Sequence, residues 1–103
     1  MIYEYRVYEA VPGKMQVLVD LMGKAMPFLE KHGGKVVGCW TAAVGEANTR
    51  YIYILAFNDM AHLEKVWEGF RGDPEWRQIG AEAGKGGPIT NAIYNSILDE
   101  IPV

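Results

Sequence analysis

Side chains alternate at a period of two over Ile2–Glu9. Tyr3, Tyr5, Val7 and Glu9 fall on one face, and Ile2, Glu4, Arg6 and Tyr8 on the other. Aromatic and β-branched residues at this period predict a strand. Neither face is plainly polar. The pattern therefore predicts a central strand covered on both sides, with Glu4 and Arg6 as its buried charges. Val11-Pro12-Gly13-Lys14 is a type II turn signature, with proline presetting φ and glycine supplying the positive φ that follows. The period then changes. Met15, Leu18, Met22, Ala25 and Leu29, widened by Val19 and Met26, form the stripe of a helix over Lys14–Lys31, with a kink expected at Pro27. His32-Gly33-Gly34 ends it, His32 being assigned to the cap.

A second strand is predicted over Lys35–Val44. Val37, Cys39 and Thr41 are expected on one face and Val36, Trp40, Ala42 and Val44 on the other, with a bulge or close approach at Gly38. Gly45–Asn48 reads as a hairpin loop. The third strand, Thr49–Phe57, is the most apolar, with Tyr51, Tyr53, Leu55 and Phe57 opposite Arg50, Ile52, Ile54 and Ala56. Asn58-Asp59 caps a helix over Met60–Phe70 that buries Leu63, Val66, Trp67 and Phe70. Asp73-Pro74-Glu75 restarts a short helix carrying Trp76, Ile79 and Ala83. A glycine-rich loop, Gly84–Pro88, leads to a last strand over Ile89–Leu98. The order β-α-β-β-α-β is the split, ferredoxin-like arrangement of the α+β class, with a four-stranded antiparallel sheet and the first and third strands central. Helices can cover only one face of such a sheet. The other face is also apolar, so a homodimer through the sheet face, with the sheets packed face to face, is expected.

The totals narrow the picture. A chain of 103 residues that is 50% hydrophobic makes a single domain, residues 1–103. Its 12% aromatic share exceeds what one small core needs, which points to a pocket or an interface. A net charge of −3 with no basic block gives no support to nucleic-acid binding. The single Cys39 excludes an internal disulfide. With no leader-like start and no apolar run of about 18 residues, no membrane contact and a cytoplasmic location are expected.

Candidate chemistry is sparse. His62-Leu63-Glu64 lacks the cysteine pair of a zinc deaminase, and Gly80–Gly86 has the wrong spacing and context for a phosphate loop. Two histidines and one cysteine give no metal-ligand spacing, so neither metal nor cofactor is expected. Glu4 and Arg6 are the strongest constellation, because a buried charge is costly unless paired. Two readings stay open. They pair with each other or with Arg50 and hold the sheet in register. Or Arg6 holds an anionic or enolate-like ligand oriented by Glu4 and the Tyr8 hydroxyl. His62 is read either as an exposed or half-buried helix residue or as a general base or a ligand to a haem-like group at a pocket mouth. Cys39 is expected to be buried and inert, and the tryptophans are read mainly as core. The candidate catalytic set is thus Arg6, Glu4 and His62.

Taken together, Met1–Tyr8, Pro12-Gly13-Lys14, the stretch from Leu29 to Trp40, Gly45, Asn48 and Asp73-Pro74-Glu75-Trp76 resemble the NIPSNAP domain, over the span from the start to about Ile79. Two departures stand out: Cys39 replaces a frequent aromatic residue, and the last strand matches less well, so Asn91 and Asn95 inherit nothing. The resemblance implies a dimeric α/β barrel of ferredoxin-like subunits. The wider superfamily includes cofactor-free monooxygenases, haem-degrading enzymes and lactone isomerases, with the pocket between helices and sheet. By that analogy Tyr8, Trp40, Trp67 and Arg50 would bind a small aromatic, quinone-like or haem-like ligand beside Glu4, Arg6 and His62. Two functions follow: a small-molecule-binding protein or enzyme of monooxygenase or isomerase type, or a non-catalytic dimeric interaction or ligand-carrying module. A cavity on the order of 300 Å³ or more favours the first. A cavity filled by tryptophans favours the second.

Overall fold

The computed structural model describes residues 1–46 and 48–103. Ala47, in the predicted hairpin loop, lies outside the described residues. The order is β1 (Ile2–Ala10), α1 (Met15–Lys31), β2 (Lys35–Thr41), β3 (Arg50–Phe57), α2 (Met60–Gly72), α3 (Pro74–Ala83) and β4 (Thr90–Asp99), with one 3-10 turn at Gly84–Gly86. The strands form one sheet in the order β2-β3-β1-β4, all neighbours antiparallel. This is the α+β, ferredoxin-like fold, with β1 and β3 central as the two-faced burial required.

The turn after β1 closes with the Lys14 amide donating to the Val11 carbonyl at 2.9 Å, and Gly13 takes φ +83°. Helix α1 runs as one element through Pro27 and buries Leu18, Met22, Ala25, Met26 and Leu29. Asp59 caps α2 by accepting from the His62 amide, and Asp73 caps α3 by accepting from the amides of Glu75 and Trp76. The core lies between α1, α2 and the face of the sheet that carries Tyr51, Tyr53, Leu55 and Phe57.

The molecule measures only 18 Å along its shortest axis, the thickness of one helix layer on one sheet. The far face of the sheet carries Tyr3, Tyr5 and Val7 of β1 opposite Ala56, Ile54 and Ile52 of β3, flanked by Leu98, Ser96 and Tyr94 of β4. No helix crosses it.

Strand β2 departs from simple alternation. The register shifts between Val36 and Gly38, a bulge at the predicted place. One residue is thereby left over, so Val36 shares a face with Cys39 and Thr41 rather than with Trp40. Val36, opposite Leu55, packs on the core, whereas Trp40, opposite Ile52, is on the far face and 48% exposed. A Cβ on Gly38 would lie 2.7 Å from the Trp40 ring, so the indole rests on a glycine that has no side chain to displace it. Cys39 is exposed, contrary to the buried position expected, because it sits on an edge strand beyond the reach of the helices.

Candidate functional site

Cross-strand register assembles the polar centre. Arg6 lies opposite Tyr53 of β3 and Asn95 of β4, and Glu4 opposite Leu55 and Ile97, all on the helix-facing side. Glu4 is 2% exposed and its carboxylate accepts three bonds: from the Trp67 indole N–H at 2.6 Å, from Asn95 Nδ2 at 2.8 Å and from Arg6 Nη1 at 3.0 Å. Arg6 also donates from Nε to the Tyr53 hydroxyl at 2.8 Å and from Nη2 to the Tyr8 hydroxyl at 3.1 Å. Its guanidinium lies 4.6 Å from the centre of the Trp67 ring. Burial works against the Arg6 charge, but Tyr53, Tyr8 and Glu4 outweigh it and the pKa rises above its ordinary value. The sequence's open question about partners resolves in part. Glu4 and Arg6 pair with each other, and Arg50 does not join them.

The two tyrosine hydroxyls lie 2.9 Å apart. Their protons can be placed by counting. Tyr53 is fully buried, and Tyr8 is the acceptor within reach of its proton. If Tyr53 did not donate there, its O–H would be left buried and unpaired, at a cost of about 1–3 kcal/mol. Tyr53 therefore donates to Tyr8. The Tyr8 oxygen then accepts from both Tyr53 and Arg6, which uses both its lone pairs. Its own proton has no acceptor among the described residues. Burial, above all, raises the Tyr53 pKa, so that hydroxyl stays protonated.

Tyr8 and Tyr53 form the floor of a cleft of about 460 Å³ between helices and sheet. Leu18, Leu21, Met22, Ala25 and Leu29 of α1 make one wall, and Trp67, Phe70 and Trp76 the other. Phe70 packs against both tryptophans, with ring centres 5.4 Å from Trp67 and 4.8 Å from Trp76. The segment from Gly84 to Thr90 forms part of the rim. Tyr8, Tyr53 and, at the rim, Thr90 bring hydroxyls to a lining otherwise made of aliphatic and aromatic side chains and glycine. Arg6 and Glu4 lie behind this floor and border a second, more polar recess of about 400 Å³ with Asn95 and Arg71. Trp67 borders both spaces.

Three candidates fall elsewhere. Arg50 ion-pairs with Glu9 at 2.6 Å, because residues 9 and 50 are directly opposite on the far face of the sheet. Trp40 is also on that face, placed there by the β2 bulge. Neither reaches the cleft. His62 stands at the first turn of α2, away from both cavities. Its Nδ1 accepts from the Asn58 amide at 2.9 Å, so Nε2 carries the proton and donates to the Gly33 carbonyl at 2.9 Å. That ring ties the β3–α2 turn to the α1–β2 turn. Glu4, Arg6, Tyr8 and Trp67 do come together.

Two members of the centre were missed. Tyr53 was read only as a strand-face residue, although antiparallel pairing of two tyrosine-rich strands hints at its place beside Arg6 and Tyr8. Asn95 carries no local signal and joins only through β4 pairing. A separate cluster surrounds Asp73, whose side chain is 2% exposed and accepts from Lys31 at 2.9 Å and meets His32 Nε2 at 2.7 Å. His32 thus links α1 to the start of α3 besides standing at the helix end. Among the described residues no group of acidic, histidine or cysteine side chains could hold a metal, and no helix is long and apolar enough to cross a membrane.

Comparison with known proteins agrees with this architecture. An uncharacterized NIPSNAP domain protein from Burkholderia xenovorans superposes with a TM-score of 0.81 at 20% identity, covering 98% of this chain and 95% of that one. A protein from Agrobacterium tumefaciens gives 0.83 at 19% identity over 98% of this chain and 94% of its own. A NIPSNAP family protein from the same organism gives 0.83 at 18% identity, with 97% and 85% covered. At these identities the likeness is one of fold. No curated protein matches the chain. The NIPSNAP family model matches residues 3–101, well past the Ile79 limit read from the sequence. Since that match runs across all four strands and three helices, this chain belongs to the NIPSNAP family.

Proposed function

We propose that this protein binds a small, apolar, ring-shaped molecule in the cleft between its helices and its sheet. The observation that carries this reading is the cleft itself. Its volume of about 460 Å³ exceeds the threshold of roughly 300 Å³ for a ligand site, and Trp67 and Trp76 line it without filling it. An apolar space closed at one end by polarised hydroxyls suits a ligand with one polar edge. Any reaction there would use Tyr8, backed by Arg6, to stabilise negative charge developing on a ligand oxygen. Among the described residues no carboxylate or histidine lines the cleft, which favours binding over proton-transfer chemistry.

The far sheet face supports a second part of the reading, a homodimer. Trp40, Tyr94 and Leu98 there are 48%, 52% and 42% exposed, beside Tyr3, Tyr5, Ile52 and Ile54, with the Glu9–Arg50 pair at one end of the face. A contiguous apolar surface of this kind marks an interface, and a second copy of the chain offers a matching one.

A thermal-shift screen against haemin, flavins, quinones and small aromatic acids tests the first part. At a hundredfold excess over Kd, a ligand stabilises by about 2.7 kcal/mol, a rise of roughly 10–20 °C for a domain of this size. Leu21→Trp places an indole at the cleft wall and should abolish the rise without unfolding the protein. If no ligand class shifts the wild type, the interaction-module reading takes its place.

A further inference from the structure

From the hydrogen-bond count at the cleft floor we infer that the ligand is a neutral carbonyl compound, its oxygen accepting the Tyr8 proton. This rests on the ligand-cleft reading above and deepens it. The direction is set by saturation. The Tyr8 oxygen already accepts from Arg6 Nη2 and from Tyr53, so it has no lone pair to offer. It can only donate. A ligand group that must itself donate there, such as an amine or ammonium, finds no acceptor. A ketone, quinone or lactone oxygen does find a donor, in a hydroxyl whose oxygen is held by the Arg6 guanidinium behind it.

Charge narrows the class further. Arg6 is matched by Glu4 at 3.0 Å, so the pair behind the floor is neutral as a whole. Apart from glycine and Thr90 at the rim, aliphatic and aromatic side chains surround the rest of the cleft, and none of the lining residues is charged. A full carboxylate would lose its hydration there and meet no unpaired cation, whereas a carbonyl loses little and gains one bond. The second recess, where Arg6 has further N–H groups, lies beyond Trp67 and is a separate space.

A matched pair of probes tests this. Fluorenone and fluorene share one tricyclic frame and differ in a single carbonyl oxygen, and neither is a thiol-reactive quinone that would attack exposed Cys39. Equilibrium dialysis of the whole chain against each should show fluorenone binding roughly two- to tenfold more tightly, the worth of one hydrogen bond. Tyr8→Phe should erase the difference between the two probes. Equal affinity of the two probes for the wild-type protein overturns the carbonyl inference and leaves the cleft reading standing. A preference that survives Tyr8→Phe overturns the assignment to Tyr8. Binding of neither probe overturns the cleft reading as well. The wild-type comparison decides the question even where the variant fails to fold.

Discussion

Glu4 and Arg6 are best understood through what each would leave behind. Removing Arg6 takes the counter-charge from a carboxylate that is 2% exposed, leaving it only the neutral donors Trp67 and Asn95, and removes one donor each from Tyr53 and Tyr8. Arg6→Ala should therefore cost about 3–5 kcal/mol in urea unfolding of the ligand-free protein, as for other broken buried pairs. A loss below about 1 kcal/mol would mean that the pair is not structural and that Arg6 is held for a ligand. Gly38 shows the same logic from steric grounds. Gly38→Ala pushes a methyl to within 2.7 Å of the Trp40 ring, so the indole must leave its seat. A red-shifted, more quenchable Trp40 emission is expected, measured with Trp67 and Trp76 replaced by Phe. No change in emission would show that the strand, not the ring, gives way.

At the scale of elements, two side-chain clasps hold the helices to one another and to the sheet. His62 joins two turns through a pair of backbone bonds. His62→Ala should cost roughly 1–3 kcal/mol, two hydrogen bonds' worth, and leave ligand affinity unchanged. A loss of affinity at unchanged stability would return His62 to the site. Asp73 fastens the end of α1 to the start of α3. Lys31, then His32, hold its carboxyl well below the usual carboxylate range, and the α3 amides add to this. A carboxyl whose folded pKa is depressed contributes stability that is complete above its unfolded pKa, about 3.9, and is lost as pH falls from there toward the folded value. Acid unfolding of the wild type should thus steepen below about pH 4. Asp73→Asn should flatten that slope and lower Tm at neutral pH. An unchanged acid profile would show that another carboxylate governs it.

For the whole molecule, one helix layer on one sheet leaves a largely apolar face that no helix among the described residues covers. Sedimentation should give a mass near twice 11.5 kDa. Trp40→Glu, which sets a charge on the exposed indole position at the β2 edge of that face, should shift the equilibrium to monomer. A monomer in the wild type would remove the homodimer from the proposed function and leave the cleft intact. The cleft and the far face are on opposite sides of the sheet, so ligand binding and assembly can be measured independently in the same variants.

How much was legible depended on the range of the interaction. Periodicity and punctuation acted locally. The 2-residue and helical periods, the Pro12-Gly13 turn and the Asp59 and Asp73 caps determined the element order, the α+β class and the central place of β1 and β3. Burying charges in a two-faced strand is costly whatever surrounds it, so Glu4 and Arg6 could be picked out before any partner was known. Partners were another matter. A single extra residue in the β2 bulge moved Trp40 out of the expected pocket, since a one-residue slip reverses every side chain beyond it. Arg50 went to Glu9 rather than to Glu4 because strand register, set by long-range pairing, put residues 9 and 50 opposite each other. Asn95 reached Glu4 across 91 positions of sequence. The sequence by itself determined the strands, helices, caps and buried charges, because those follow from neighbours along the chain. Only the tertiary structure decided which tryptophans line the cleft, that His62 is a clasp, and which tyrosine proton has no acceptor among the described residues, because those depend on register and on the count of donors and acceptors that register brings together.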